Sequence, residues 1–151
     1  MKRSDRMVVV QKVVDDLERR RAEALAACER LVTESEARLA ELEAYQTGYV
    51  RDFNVRAGSG MNAASARDYQ VFLARLGDAL RQQSQAVTRA KAQRDSELRS
   101  WQGAAQRADA IGHVVKRWSA EERHELERLE QKESDEFSQR PAALGAHSRG
   151  A

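Results

Sequence analysis

The sequence predicts an all-α protein built from two long helices folded into an antiparallel coiled-coil hairpin, the second helix being the longer. Three observations carry that expectation. In 151 residues there are only 8 Gly and 1 Pro, and the one Pro is Pro141, so folds that need frequent turns are excluded. Aromatic residues make up 5% and charged residues 33% of the chain, too little bulk for a thick core and enough charge for long solvated helix faces. Apolar residues then recur at helical spacing over long stretches, which favours helix over disorder.

The first helix is expected over residues 4–54. Its apolar positions are Met7, Val10, Val14, Leu17, Ala24, Cys28, Leu31, Leu42, Tyr45 and Tyr49. Arg21, Ser35 and Arg38 interrupt this seam, and Leu39 and Phe53 mark a drift by one place. Residues 55–64 read as the turn, with Gly58, Gly60, Ser59 and Asn62 gathered there. Ser65 and Asp68 have the spacing of an N-terminal cap for the next helix, expected over 65–140.

That second helix carries a cleaner heptad. One series runs Leu73, Leu80, Val87, Arg94, Trp101, Ala108, Val115, Glu122 and Leu129; the other runs Tyr69, Leu76, Gln83, Ala90, Glu97, Ala104, Ile111, Trp118 and Glu125. Gly77, Gly103 and Gly112 fall inside it, each costing roughly 1 kcal/mol relative to Ala, so pairing with the first helix must offset them. Pro141 is expected to end the helix and 141–151 to form a disordered tail.

Flanking the turn with residues 54 and 65 places residue 4 opposite Val115. The paired body is then on the order of 75 Å long, with an overhang of the second helix on the order of 35 Å. From Glu121 to Glu136 acids outnumber bases, which suits a segment ordered by a complementary partner as well as it suits a frayed helix end.

The formal net charge is +2, and the charges are mixed along the chain, so no single-sign stripe points to nucleic acid or a membrane surface. No apolar run reaches the roughly 20 residues of a membrane span, and the start has no secretory apolar core, so a cytoplasmic location is expected. No phosphate-binding loop, GxGxxG, HExxH or CxxC occurs, and His113, His124 and His147 build no metal-ligand spacing. Neither enzyme activity nor a cofactor or metal is expected. Cys28 reads as a small seam residue, and Trp101 as a core anchor. Trp118 reads as core or as a residue facing a partner. Phe72, on the flank of the seam beside Leu73 and Leu76, is either cover for the first helix or the anchor of a binding patch.

Several of these runs together resemble a known family. They are Tyr45-Gln46-Thr47-Gly48-Tyr49, the Asn- and Gly-containing turn, Tyr69-Gln70-Val71-Phe72-Leu73 with Leu76, Ser100-Trp101, and the segment from Gln131 through Asp135-Glu136-Phe137 to Arg140. In order and spacing, over about residues 42–140, this pattern is similar to FliJ, the small coiled-coil component of the bacterial flagellar type III export apparatus. The resemblance implies a helical hairpin like the central stalk of a rotary ATPase. It implies insertion into the hexameric ring of the flagellar export ATPase, contact with the cytoplasmic part of the export gate protein FlhA, and escort of export chaperones, peripheral to the inner membrane. On that reading Phe72, Leu76 and Ala79 match the gate-binding face, while Gln83 stands where relatives can carry His. Asp135, Glu136 and Phe137 fall at the end that enters the ring. A stalk of a non-flagellar injectisome and a generic structural tether are the alternatives.

Overall fold

A computed structural model of the chain describes residues 2–147, with side chains through Arg140. Two helices account for it: α1, Arg3–Gly58, and α2, Ala63–His147. They pair antiparallel as a helical hairpin, and α2 is the longer, 85 residues against 56.

The turn is shorter than the sequence suggests. Helix continues through Ala57 and Gly58, and resumes at Ala63, because alanine is the strongest helix former and nothing in this stretch forbids the α conformation before Gly60. Gly60 has φ +97°, a left-handed conformation that a side chain would strain, so the reversal is made there. Ser59 closes α1: its N–H and hydroxyl both donate to the Val55 carbonyl, at 3.3 Å each. The N-cap of α2 is Asn62 and not Ser65. Asn62 Oδ1 accepts the Ser65 backbone N–H at 2.8 Å, and the Asn62 carbonyl accepts the Ala66 N–H.

At the far end, Pro141 lies within α2, which runs on to His147. Proline removes one N–H from the helix ladder, and the Phe137 carbonyl it would have served belongs to an exposed residue that water can satisfy. Residues 148–151 of the expected tail lie outside the described residues.

Contacts group the chain into two compact units. One comprises Glu18–Ala104, which includes the turn; the other pairs the start of α1, up to Leu17, with α2 from Ala105. In both, α2 presents the predicted heptad. Every position from Tyr69 to Glu122 in the two series is buried or half-buried, with Leu76, Val87 and Ala104 the most enclosed at 8%, 7% and 3% exposure. Two helices shield one another along a single face, and among the described residues no side chain is fully sealed.

In α1 the structure corrects half of the seam. Met7, Val14, Cys28 and Leu42 face inward as expected, but the second series lies one residue further along the chain: Ser4, Gln11, Glu18, Leu25, Val32, Leu39, Gln46 and Phe53. Leu39 and Phe53 are therefore in register; of the residues expected in the seam, Val10, Leu31, Tyr45 and Tyr49 are exposed, while Leu17 and Ala24 stay half-buried. Two hydrogen bonds tie polar seam residues across the helices. Trp101 Nε1 donates to Glu18 Oε1 at 2.8 Å, and Gln83 Nε2 donates to the Ser35 carbonyl at 2.9 Å. Gln11 Nε2 lies over Gly112, 3.7 Å from where a Cβ would sit. On α2, Glu97 Oε1 accepts from Gln93 Nε2 at 3.3 Å, but its Oε2 is enclosed without a hydrogen-bond partner, which weakens the seam locally.

Candidate interaction surfaces

Around the turn the helices expose an aromatic surface. The Tyr49 and Phe72 rings, from opposite helices, meet at a centroid distance of 4.5 Å and an interplanar angle of 44°. Phe53 and Tyr69 form a second tilted pair at 5.6 Å. Both Tyr49 and Phe72 keep outer faces in solvent, at 38% and 41% exposure, and Tyr45 stands out further. Between Tyr45 and Tyr49 the missing side chain of Gly48 leaves a shallow depression, with Asp52 on its edge. Phe72 thus covers part of α1 through Tyr49 while its outer face stays exposed.

The Tyr69 hydroxyl donates to Asp52, whose carboxylate also lies 3.5 Å from Arg56 Nε. This hydrogen bond, then burial and the Asp52 charge, raise the Tyr69 pKa above its ordinary value, while Arg56 pulls the other way. Any stability from the raised value is present at neutral pH and lost only as pH rises through the folded-state pKa.

The three residues assigned to one binding face do not share one exposed surface. Phe72 is exposed, Ala79 is half-buried, and Leu76 is spent on the interhelical seam. Gln83, also in the seam, is turned toward α1 by its bond to Ser35.

A second surface begins where α1 starts. Ser4 donates its backbone N–H to Glu122 Oε1 at 3.1 Å and its hydroxyl to the same carboxylate. An acid from α2 therefore satisfies a free N–H of the first turn of α1, at the positive end of its dipole. Ser4 meets Glu122 rather than Val115, for two reasons. The real turn is centred one residue later, and side chains on a helix lean toward its N-terminus, so Glu122 reaches back along α2. Arg3 completes the contact: its guanidinium bonds Glu121 at 2.8 Å and lies 4.1 Å from the Trp118 ring centroid. Trp118 is accordingly half-buried against the start of α1.

The hydrogen bonds from Ser4 lower the Glu122 pKa against a smaller opposing effect of burial, with Lys2 and Arg3 adding to the lowering. A carboxylate with a depressed folded-state pKa contributes stability above its unfolded value, and loses it as pH falls through the depressed one. Acid should therefore loosen this end of the hairpin. Comparing Ser4→Ala with the parent in thermal melts across that pH range should show a smaller acid dependence in the variant; equal dependence would mean the contact carries no linkage.

Past Glu122 every described side chain as far as Arg140 is exposed. Leu126, Leu129 and Phe137 are 51%, 48% and 73% exposed, and Asp135 and Glu136 stand in solvent beside Phe137. From Glu121 to Arg140 there are eight acidic residues and four basic. Among the described residues no helix is long and apolar enough to cross a membrane, and no three His, Cys, Asp or Glu side chains gather to hold a metal ion.

The fold defines the class of the chain as an all-α antiparallel helical hairpin, the second helix the longer. The family described as Flagellar FliJ protein matches residues 2–146, and the chain belongs to it. Among curated relatives, the Flagellar FliJ protein of Salmonella typhi is 31% identical over 134 residues, covering 89% of this chain and 88% of that protein. The Flagellar FliJ protein of Escherichia coli (strain K12) is 30% identical over the same length and shares. No solved structure gives a significant match.

Proposed function

We propose that this protein is a non-enzymatic component of the bacterial flagellar type III export apparatus, acting as the central stalk of the export ATPase ring. The observation that carries this reading is the stretch from Arg123 to Arg140, a continuous helix with every side chain exposed, acidic and dotted with Leu126, Leu129 and Phe137. Such a segment gains little from its own fold and is well suited to entering a complementary cavity. Asp135, Glu136 and Phe137 are the contacts proposed for the ring, and membership of the FliJ family supports the assignment.

The same chain contacts the cytoplasmic part of the export gate protein FlhA through the aromatic surface at the turn. Phe72 anchors this contact, Ala79 borders it, and Leu76 supports it from the seam. The protein works in the cytoplasm, peripheral to the inner membrane through the apparatus, and escorts export chaperones. It couples ring and gate without hydrolysing nucleotide itself.

Binding of the purified chain to the export ATPase hexamer tests the central role directly, and absence of binding would overturn it. For the gate, Phe72→Ala should weaken FlhA capture at least tenfold, the loss expected when an interface anchor is truncated. Circular dichroism should show an unchanged fold, because the ring is only partly covered. Intact capture would remove Phe72 as the anchor.

A further inference from the structure

Between Val87 and Ala104 the inward positions of α2 turn from apolar to charged. Val87 and Ala104 are 7% and 3% exposed, and the seam residues between them are Ala90, Arg94, Glu97 and Trp101. Arg94 and Glu97 are both half-buried, yet the bonds they make stay on α2. Arg94 Nε and Nη2 donate to Asp95 Oδ1 at 3.1 and 3.0 Å, and Glu97 Oε1 accepts from Gln93 at 3.3 Å. Glu97 Oε2 is enclosed without a hydrogen-bond partner, so the folded chain carries the loss of its hydration uncompensated.

α1 offers this stretch little in return. Glu18 accepts from Trp101 and the Ser35 carbonyl accepts from Gln83, which places residues 21–28 of α1 opposite residues 91–98 of α2. In that part of α1 Leu25 is the one large apolar side chain; Ala22, Ala24, Ala26 and Ala27 are small, Cys28 is little larger, and Arg21, at an inward position, stands exposed. Gly103 weakens α2 further. A Cβ there would meet nothing within 4 Å, so no close approach requires a glycine, and its weak helix propensity is not offset by packing.

We propose that residues 18–28 and 91–103 form an opening section of the hairpin, where the two helices part by local unfolding while the seam around Val32 and Val87 stays closed. Opening gives up the bond between Glu18 and Trp101 and the cover of Leu25. In exchange it returns the enclosed Glu97 oxygen to water and releases Gly103 from the helix. Its net cost lies below that of parting the helices at Val32 and Val87, which are 6% and 7% exposed. Parting also uncovers Trp101 and the single cysteine, Cys28, so the chain carries its own reporters of the open state.

Hydrogen–deuterium exchange of the full chain, read by mass spectrometry, tests this without any partner. Residues 18–28 and 91–103 should exchange about tenfold faster than residues 29–42 and 76–90. Urea at low concentration should speed exchange at 76–90 and leave the opening section nearly unchanged, since local opening exposes little surface. Glu97→Leu should slow exchange in the section about tenfold, because an apolar side chain of similar volume replaces an enclosed, unpaired oxygen. Gly103→Ala should slow it about fivefold, with no neighbour for the added methyl to strike. Both variants should also slow labelling of the Cys28 thiol by an uncharged maleimide. Equal exchange in the section and at 76–90, or an equal response to urea, would overturn the proposal. So would a Glu97→Leu chain that melts below its parent, or one that gains stability with no slowing between residues 91 and 103.

Discussion

A chain ended after Glu122 is expected to lose stimulation of the flagellar export ATPase entirely, with activity returning to that of the ring alone. The truncation is placed after Glu122 because that carboxylate caps the first turn of α1 through Ser4, and because Glu121 holds Arg3 over Trp118. Everything removed is exposed as far as the described side chains extend. The thermal transition should therefore move little, which separates a lost surface from a lost fold. Within the segment the effect should concentrate at Phe137, the most exposed large apolar side chain described. Phe137→Ala should cost about 2 kcal/mol of ring binding, as truncation of an interface anchor does, and Asp135→Asn with Glu136→Gln less, since charges at an interface rim contribute more to association rate than to affinity. Undiminished stimulation by the truncated chain would overturn the ring assignment, whatever Phe72 proves to do at the gate.

The second large effect is on stability. Val87→Asp should destabilise the protein by about 3–5 kcal/mol, as an uncompensated carboxylate in a closed seam does. Val87 is 7% exposed, in a two-helix core that has few other well-covered residues. Against a total of roughly 5–15 kcal/mol for a natural domain, the loss should appear as a shift of many degrees in the melting curve followed by circular dichroism. The neighbouring Thr88→Asp is the control. Thr88 is exposed, and its hydroxyl donates to the Ser84 carbonyl of its own helix, so the change should stay within about 0.5 kcal/mol. Equal effects at the two positions would mean that the seam lies elsewhere.

How much of this is legible in the sequence differs between the helices. In α2 the inward positions from Tyr69 to Trp118 are mostly apolar, so a heptad drawn by residue type coincides with the buried face. Even its acidic position Glu122 is occupied as the repeat requires, although only the structure shows that the acid serves as a cap for α1. In α1 one series of the heptad is polar at Ser4, Gln11, Glu18 and Gln46, while apolar Val10, Leu17, Leu31 and Tyr45 sit one place before members of that series. Hydropathy then selects the wrong row. Leu25, Leu39 and Phe53 carry the signal for the right one, since a drift that returns at intervals of fourteen residues is a second row and not a fault.

The length of the turn is hard to read for a related reason. Gly58 and Asn62 both favour a break, and only the positive φ at Gly60 and the bond from Ser65 to Asn62 decide where it falls. The aromatic surface is half visible: Phe72 stands out as a flank residue, but its pairing with Tyr49 joins residues 23 apart in the chain. Leu76 shows the converse: the resemblance placed it on a binding face, and the structure encloses it against the other helix.

By itself the sequence determined the fold class, the pairing direction, the seam of α2 and the unpaired acidic end, because sparse glycine and proline and a sustained apolar repeat act locally and add along the chain. Only the tertiary structure decided the polar row of α1, the capping of Ser4 by Glu122 and the coverage of Leu76. A polar side chain is buried or exposed according to whether a partner meets its hydrogen bonds, and that partner stands on the other helix.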